Sequence, residues 1–237
     1  MTVVSSRRTL AVVGAHVGDC EVMAGGIAAK AVAEGYSVYF IHMTYGEKGH
    51  PKLSPEEYLR QKKLEAEIFA KRLGINVRFM GLRDGEVENN VDVRIRLAEL
   101  IRSIRPSLII THWKGSIHRD HIATYQIVMD SVFYAANRWF KVRGEPCWAR
   151  VFFAENWEDH DGYQPEIYVD ISDVYDKWIS ALRECAFARG ETGFNYIDYY
   201  SSLARLRGLE SGTTYAQTLM RPWYLRRIRI KRMDALI

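Results

Sequence analysis

Residues 9–14 read TLAVVG and residues 15–21 read AHVGDCE. An unbroken apolar run followed at once by a glycine-containing loop is the pattern of a strand buried on both faces of a parallel sheet. The polar residues then fall at the carboxyl end of that strand, which is where open α/β sheets bind ligands. Working outward, residues 21–34 read as one helix closed by Gly35, and residues 37–44 (SVYFIHMT) as the next strand. Ser54-Pro55-Glu56-Glu57 supplies a capping serine, a proline at the first helical position and a glutamate at the third, opening a helix that runs to Gly74. Residues 76–81 resume as strand, 91–105 as an amphipathic helix and 107–113 (SLIITHW) as a fourth strand. This alternation predicts βαβ units and a Rossmann-like α/β fold, a mainly parallel sheet flanked by helices.

Further along, residues 120–139 read as a helix, 150–155 and 166–171 as strands, and 172–189 and 197–208 as helices. No internal repeat or Pro/Gly linker divides the chain, so residues 1–237 are expected to form a single domain.

The 237 residues are 48% apolar and 26% charged, which suits a globular core and argues against disorder. No apolar run approaches the roughly 20 residues of a spanning helix, and no secretory signal is apparent, so no membrane partner and a cytoplasmic location are expected. Cys20, Cys147 and Cys185 lack paired spacing, which fits reduced thiols. The net charge of +4 is modest, and much of the basic excess sits in Arg221, Arg226, Arg227, Arg229, Lys231 and Arg232. Alternation of arginine with Ile and Leu there, without a nucleic-acid-binding motif, predicts a solvated or oligomer-contacting tail and no nucleic-acid partner.

Two clusters carry possible chemistry. One holds His16 and Asp19, between the first strand and its helix; the other is His118-Arg119-Asp120-His121, after the fourth strand. Strands one and four flank the switch point of a doubly wound sheet, so the clusters should meet. Two imidazoles and a carboxylate form a three-ligand set that leaves a position for water, and His16, Asp19 and His121 can supply one. Taken singly, each cluster also reads as ordinary helix capping. The loop after the first strand lacks the spaced glycines of a dinucleotide fingerprint.

The segment AHVGDCEVMAGG resembles the AHPDDxE…GG signature of the PIG-L/LmbE family of metal-dependent N-acetylglucosaminide deacetylases, and HRDH resembles its HPDH motif. TYGEKG, LRDG, the strand ending in TH, PEIYVDIS and RLRGLESGTTYAQ extend the resemblance along the chain. The HPDDxE variant and the PEIYVDIS-type segment are most similar to the branch that deacetylates glucosaminyl malate in bacillithiol synthesis. The resemblance implies a zinc or other divalent metal on His16, Asp19 and His121, and catalytic roles for His118, facing the developing oxyanion, and for Asp120. It also implies Glu47, Arg60 and Asp84 as substrate-pocket residues, a small amino-sugar substrate, and a homo-oligomer as a possible assembly.

Gly18 departs from the family pattern, in which an aspartate at that position is the general base. Losing such a base typically costs roughly 100- to 10,000-fold in rate. Glu47 or His118 are candidate substitutes, and Cys20 reads as a small packing residue. Glycine also removes volume beside the metal, making room for a larger or anionic group. The expected function is removal of an acetyl or other acyl group from an amino sugar by metal-activated water. The alternatives are a metal- and sugar-binding protein without turnover, and the same site applied to a different reaction.

Overall fold

A computed structural model describes residues 8–225. Strands β1 (Thr9–Gly14), β2 (Ser37–Thr44), β3 (Asn76–Leu82), β4 (Leu108–Thr111), β5 (Arg150–Ala154), β6 (Ile167–Asp170) and β7 (Ala216–Met220) form one sheet in the order β3-β2-β1-β4-β5-β7-β6. The first five are mutually parallel; β7 runs antiparallel to both β5 and β6. Alternate residues of β1 feed opposite cores, as strand geometry requires. Leu10 and Val12 join Phe40, Phe69 and Trp178 on one face, while Ala11 and Val13 join Ile41, Leu97 and Ile109 on the other. That double burial is why β1 reads as a continuous apolar run.

The helices are α1 (Asp19–Met23), α2 (Gly25–Ala33), α3 (Pro55–Leu73), α4 (Val91–Ile104), α5 (Arg119–Ala136), α6 (Tyr175–Leu182) and α7 (Tyr196–Ser211). Ser54 and Glu57 cap α3 reciprocally, and Gly74 closes it in the left-handed region. Among the described residues no helix is long and apolar enough to cross a membrane.

Three expectations are corrected. The helix expected over 21–34 is broken at Ala24. The Trp178 indole donates to the Glu21 carbonyl at 2.8 Å, and the Gln217 amide donates to the Val22 carbonyl at 2.9 Å, so both leave the helical ladder. Gly25 lets the indole approach, since a Cβ there would lie 2.4 Å from its Nε1. The helix expected over 172–189 is confined to α6 plus a single 3₁₀ turn at Phe187–Arg189. Strand β7 is an addition to the expected elements. Of the basic cluster, only Arg221 lies within the described residues, with its backbone N–H on Glu166 at 2.7 Å; the rest falls outside them.

Candidate metal centre and pocket

The switch point between β1 and β4 brings both clusters together at the carboxyl ends of the strands. His16 follows β1. Its Nδ1 stands 3.3 Å from Asp19 Oδ2, and its Nε2 stands 3.2 Å from Asp84 Oδ1 and 3.3 Å from Asp120 Oδ2. Burial disfavours the imidazolium, but hydrogen bonds to Asp120, Asp19 and Asp84 outweigh it and raise the His16 pKa well above normal. Burial likewise works against the Asp19 charge, yet the neighbouring His121 and His112 hold its carboxyl well below the usual range.

From the other side of the switch point come His112, just past β4, and His121, in the first turn of α5. Their rings stack with centroids 3.9 Å apart, and each Nδ1 lies 2.8 Å from an oxygen of buried Asp159. This shared carboxylate turns both Nε2 atoms toward Asp19 Oδ2, at 3.2 Å for His112 and 3.6 Å for His121. His112 Nε2 also accepts the Ala15 N–H at 3.0 Å. His121 Nε2 is buried with no hydrogen-bond partner among the described residues. Burial, then the proximity of His112, pushes the His121 pKa down to about 4, so the ring is neutral near pH 7.

These residues fit a divalent metal. Ligands about 2.0–2.2 Å from a tetrahedral ion stand roughly 3.3–3.6 Å apart. Asp19 Oδ2 meets that spacing with both His16 Nδ1 and His121 Nε2. An orphaned buried imidazole nitrogen facing a carboxylate is a ligand awaiting an ion, and the carboxylates behind both histidines are the outer partners such ligands use. The donor groups within reach of one another are His16–His118–His121, Asp19–His112–His121 and His16–Asp84–Asp120; the expected set His16–Asp19–His121 is not among these groups and is linked only pairwise, through Asp19 Oδ2.

A pocket of about 220 Å³ opens over this cluster, with His16, Asp19, Asp84, His118, Glu158 and Lys62 in its wall. His118 caps α5, and its Nδ1 accepts the Asp120 N–H at 3.2 Å, which leaves the ring proton on Nε2. Glu158 Oε2 lies 3.5 Å from His121 Nε2. Burial, then the charges of Asp19 and Asp159, pushes its pKa up to about 7. Gly18 has φ +117°, and a Cβ there would come within 3.0 Å of the Phe187 ring and 3.2 Å of Lys62 Nζ.

His16, Asp19, His118 and His121 therefore converge as expected, and Asp84 lines the pocket. Three expected site residues stand elsewhere. Asp120 is fully buried behind His16, where it accepts the Gly85 N–H at 2.7 Å; it can orient the imidazole but is not in the pocket wall. Glu47 accepts the Asp84 N–H at 3.0 Å and so fixes that loop from outside the pocket. Arg60 is exposed, because the inward stripe of α3 is Tyr58, Lys62, Glu65 and Phe69, two residues out of phase with it. His112, Glu158, Asp159 and Lys62 were missed. His112 follows directly on β4, and Glu158 and Asp159 lie in the loop after β5, the kind of position that selected the other clusters; Lys62 is marked by helical spacing from Tyr58. Cys20 is fully buried, its thiol directed at the Val12 carbonyl at 3.5 Å, as a packing residue would be.

A Rossmann-like sheet with a histidine–carboxylate cluster at its switch point defines an α/β protein with a metal-type centre. Residues 11–132, just over half of the chain, match the family model described as PIG-L, GlcNAc-PI de-N-acetylase, and the chain belongs to that family. Over 232 residues it is 25% identical to the 4-oxalmesaconate hydratase of Pseudomonas putida, covering 90% of this chain and 86% of the relative. The conserved protein TT1542 of Thermus thermophilus superposes with a TM-score of 0.80 at 28% identity, over 94% of this chain and 98% of the other. The N,N'-diacetylchitobiose deacetylase of Pyrococcus horikoshii shares the fold, with a TM-score of 0.79 at 21% identity over 98% and 90% of the two chains.

Proposed function

We propose that the protein is a divalent-metal-dependent hydrolase that removes an acetyl or other acyl group from an amino sugar or its conjugate. The observation that carries this reading is the orphaned His121 Nε2, buried 3.6 Å from Asp19 Oδ2 and 3.5 Å from Glu158 Oε2, behind the wall of a pocket that Asp19, Glu158, His16 and His118 line. His16, Asp19 and His121 would hold the ion, for which zinc is the proposed identity; bound there, it would polarise the scissile carbonyl and lower the pKa of the attacking water. Glu158 accepts the water proton, replacing the acid that position 18 lacks, and delivers it to the departing amine. The Nε2–H of His118 donates to the oxygen that gains charge as the tetrahedral intermediate forms. Asp159, Asp120 and Asp84 hold the imidazoles in orientation.

The test is acetate release from a panel of N-acetylglucosaminides by the zinc-reconstituted protein. Turnover is expected, with loss of roughly 100- to 10,000-fold in Glu158→Gln. Wild-type silence across the panel under full metal loading would contradict amide hydrolysis.

The hydratase relative and the absent acid at position 18 favour a second reading, addition of water across a carbon–carbon double bond conjugated to a carbonyl. The same residues serve it: Glu158 takes the water proton, His118 donates to the carbonyl oxygen, and a proton then returns to the neighbouring carbon. Loss of conjugated-alkene absorbance without acetate release would select this reaction. With Glu158 in the pocket wall, a binding protein without turnover has less support than either.

A further inference from the structure

We propose that the pocket is built for a substrate bearing a carboxylate, and that Lys62 is the residue that recognises it. This deepens the reading of the pocket as the active site, and it holds for either reaction above. Lys62 is only 5% exposed, yet its ammonium has no hydrogen bond or ion pair among the described residues. Its contacts are aromatic: Nζ lies 3.8 Å from the centroid of Phe187 and 5.5 Å from that of Tyr58. Glu65, the acid nearest in sequence on the same face of α3, turns Oε1 to the Ala186 N–H at 2.9 Å and the Gln61 amide at 3.0 Å; its Oε2 is free of hydrogen bonds, and the carboxylate acts on the ammonium through space without forming an ion pair with it.

An ammonium lining a pocket with no acid paired to it has given up much of its hydration without a counter-charge in contact. Two aromatic faces offset only part of that loss. Burial accordingly pulls the Lys62 pKa down. An anion entering the pocket supplies the missing partner, and the pocket is where the ammonium stands.

Gly18 completes the argument. A side chain there would begin 3.2 Å from Nζ, and an acid at that position would pair with Lys62 inside the protein. Glycine leaves the charge to be met by the ligand. One ammonium, set among the carboxylates of Asp19, Asp84 and Glu158 in the same wall, suits a single negative charge better than a phosphate dianion. Lys62 is therefore a specificity-determining residue, at the end of the pocket beside Gly18.

The test is calorimetric titration of the zinc-loaded protein with matched probes: N-acetylglucosamine against its 3-O-lactyl ether N-acetylmuramate, and fumaramide against its monoacid fumaramate. In at least one pair the wild type should bind the carboxylate member about 10- to 100-fold more tightly than its neutral partner. Lys62→Gln should abolish that preference and Lys62→Arg should retain most of it, both with unchanged metal content, and Lys62→Gln should melt no lower than the wild type. Absence of a preference in the wild type, or its survival in Lys62→Gln, overturns the proposal. Because binding is read directly, the result is independent of whether acetate or an alkene is ever turned over. The wild-type comparison also needs no variant to fold.

Discussion

Asp159 accepts from His121 Nδ1 at 2.8 Å, and through that one hydrogen bond it decides which nitrogen of the ring faces Asp19. With its other oxygen on His112, it fixes two imidazoles from outside the wall of the pocket above the cluster. Removing its charge should therefore weaken metal binding without removing a ligand. Asp159→Asn is expected to lower zinc affinity about 10- to 100-fold, measured by competition with a chromogenic chelator.

His16 sits among three carboxylates that keep it protonated in the metal-free protein. A metal ligand must be the neutral imidazole, so the ion has to displace that proton. Zinc binding at pH 7 should release about one proton, and its affinity should rise with pH. Titration calorimetry in buffers of different ionisation enthalpy reads the proton directly; an uptake independent of buffer would show that His16 is not displaced.

The metal-free protein should be sensitive to acid. His121 has a folded pKa lowered to about 4 against an ordinary value of 6.5, so between those values the unfolded chain binds a proton that the folded one does not. The contribution of His121 is then full above about pH 6.5 and declines as the pH falls toward 4, by up to about 3 kcal/mol. Asp159, held below the usual carboxylate range by its two histidines against the effect of burial, adds to the loss further down. His16 and His112, whose folded pKa values are raised, act in the opposite direction over the same range, so the sign is read by difference: between pH 7 and pH 5 chelator-treated wild type should lose more stability to urea than His121→Gln, and equal losses would contradict it.

Gly18→Asp will not simply install a base. The backbone there has φ +117°, and the new Cβ meets the Phe187 ring at 3.0 Å. Such a residue costs on the order of 1–3 kcal/mol in strain. The variant is expected to melt lower than the wild type, and its carboxylate to pair with Lys62. A melting temperature at or above that of the wild type would mean that the loop can relax.

The parallel half of the fold and the meeting of the two polar clusters were legible in the sequence, because β1 and β4 are buried on both faces and carry their polar residues soon afterwards. Strand β7 was not. Its Gln217 and Thr218 read as loop polarity, yet both are buried, Gln217 bonded to the Val22 carbonyl and the Ile27 N–H and Thr218 to Glu155. Those partners lie far away in the chain, so nothing local marks the strand. The break at Ala24 was hidden for the same reason, since it depends on Trp178. Arg60 and Lys62 differ only by the face of one helix. The inward stripe is set by Tyr58, Glu65 and Phe69, and placing the pocket cation needed that phase rather than motif spacing alone.

The account rests on His121 Nε2 completing a metal site. Equilibrium dialysis of the wild type and His121→Ala against buffered zinc, with metal content read by mass spectrometry, tests this most directly. One ion per wild-type chain, with affinity reduced by about 100-fold or more in His121→Ala, is the predicted result. Equal zinc content in the two proteins at every free concentration would contradict it.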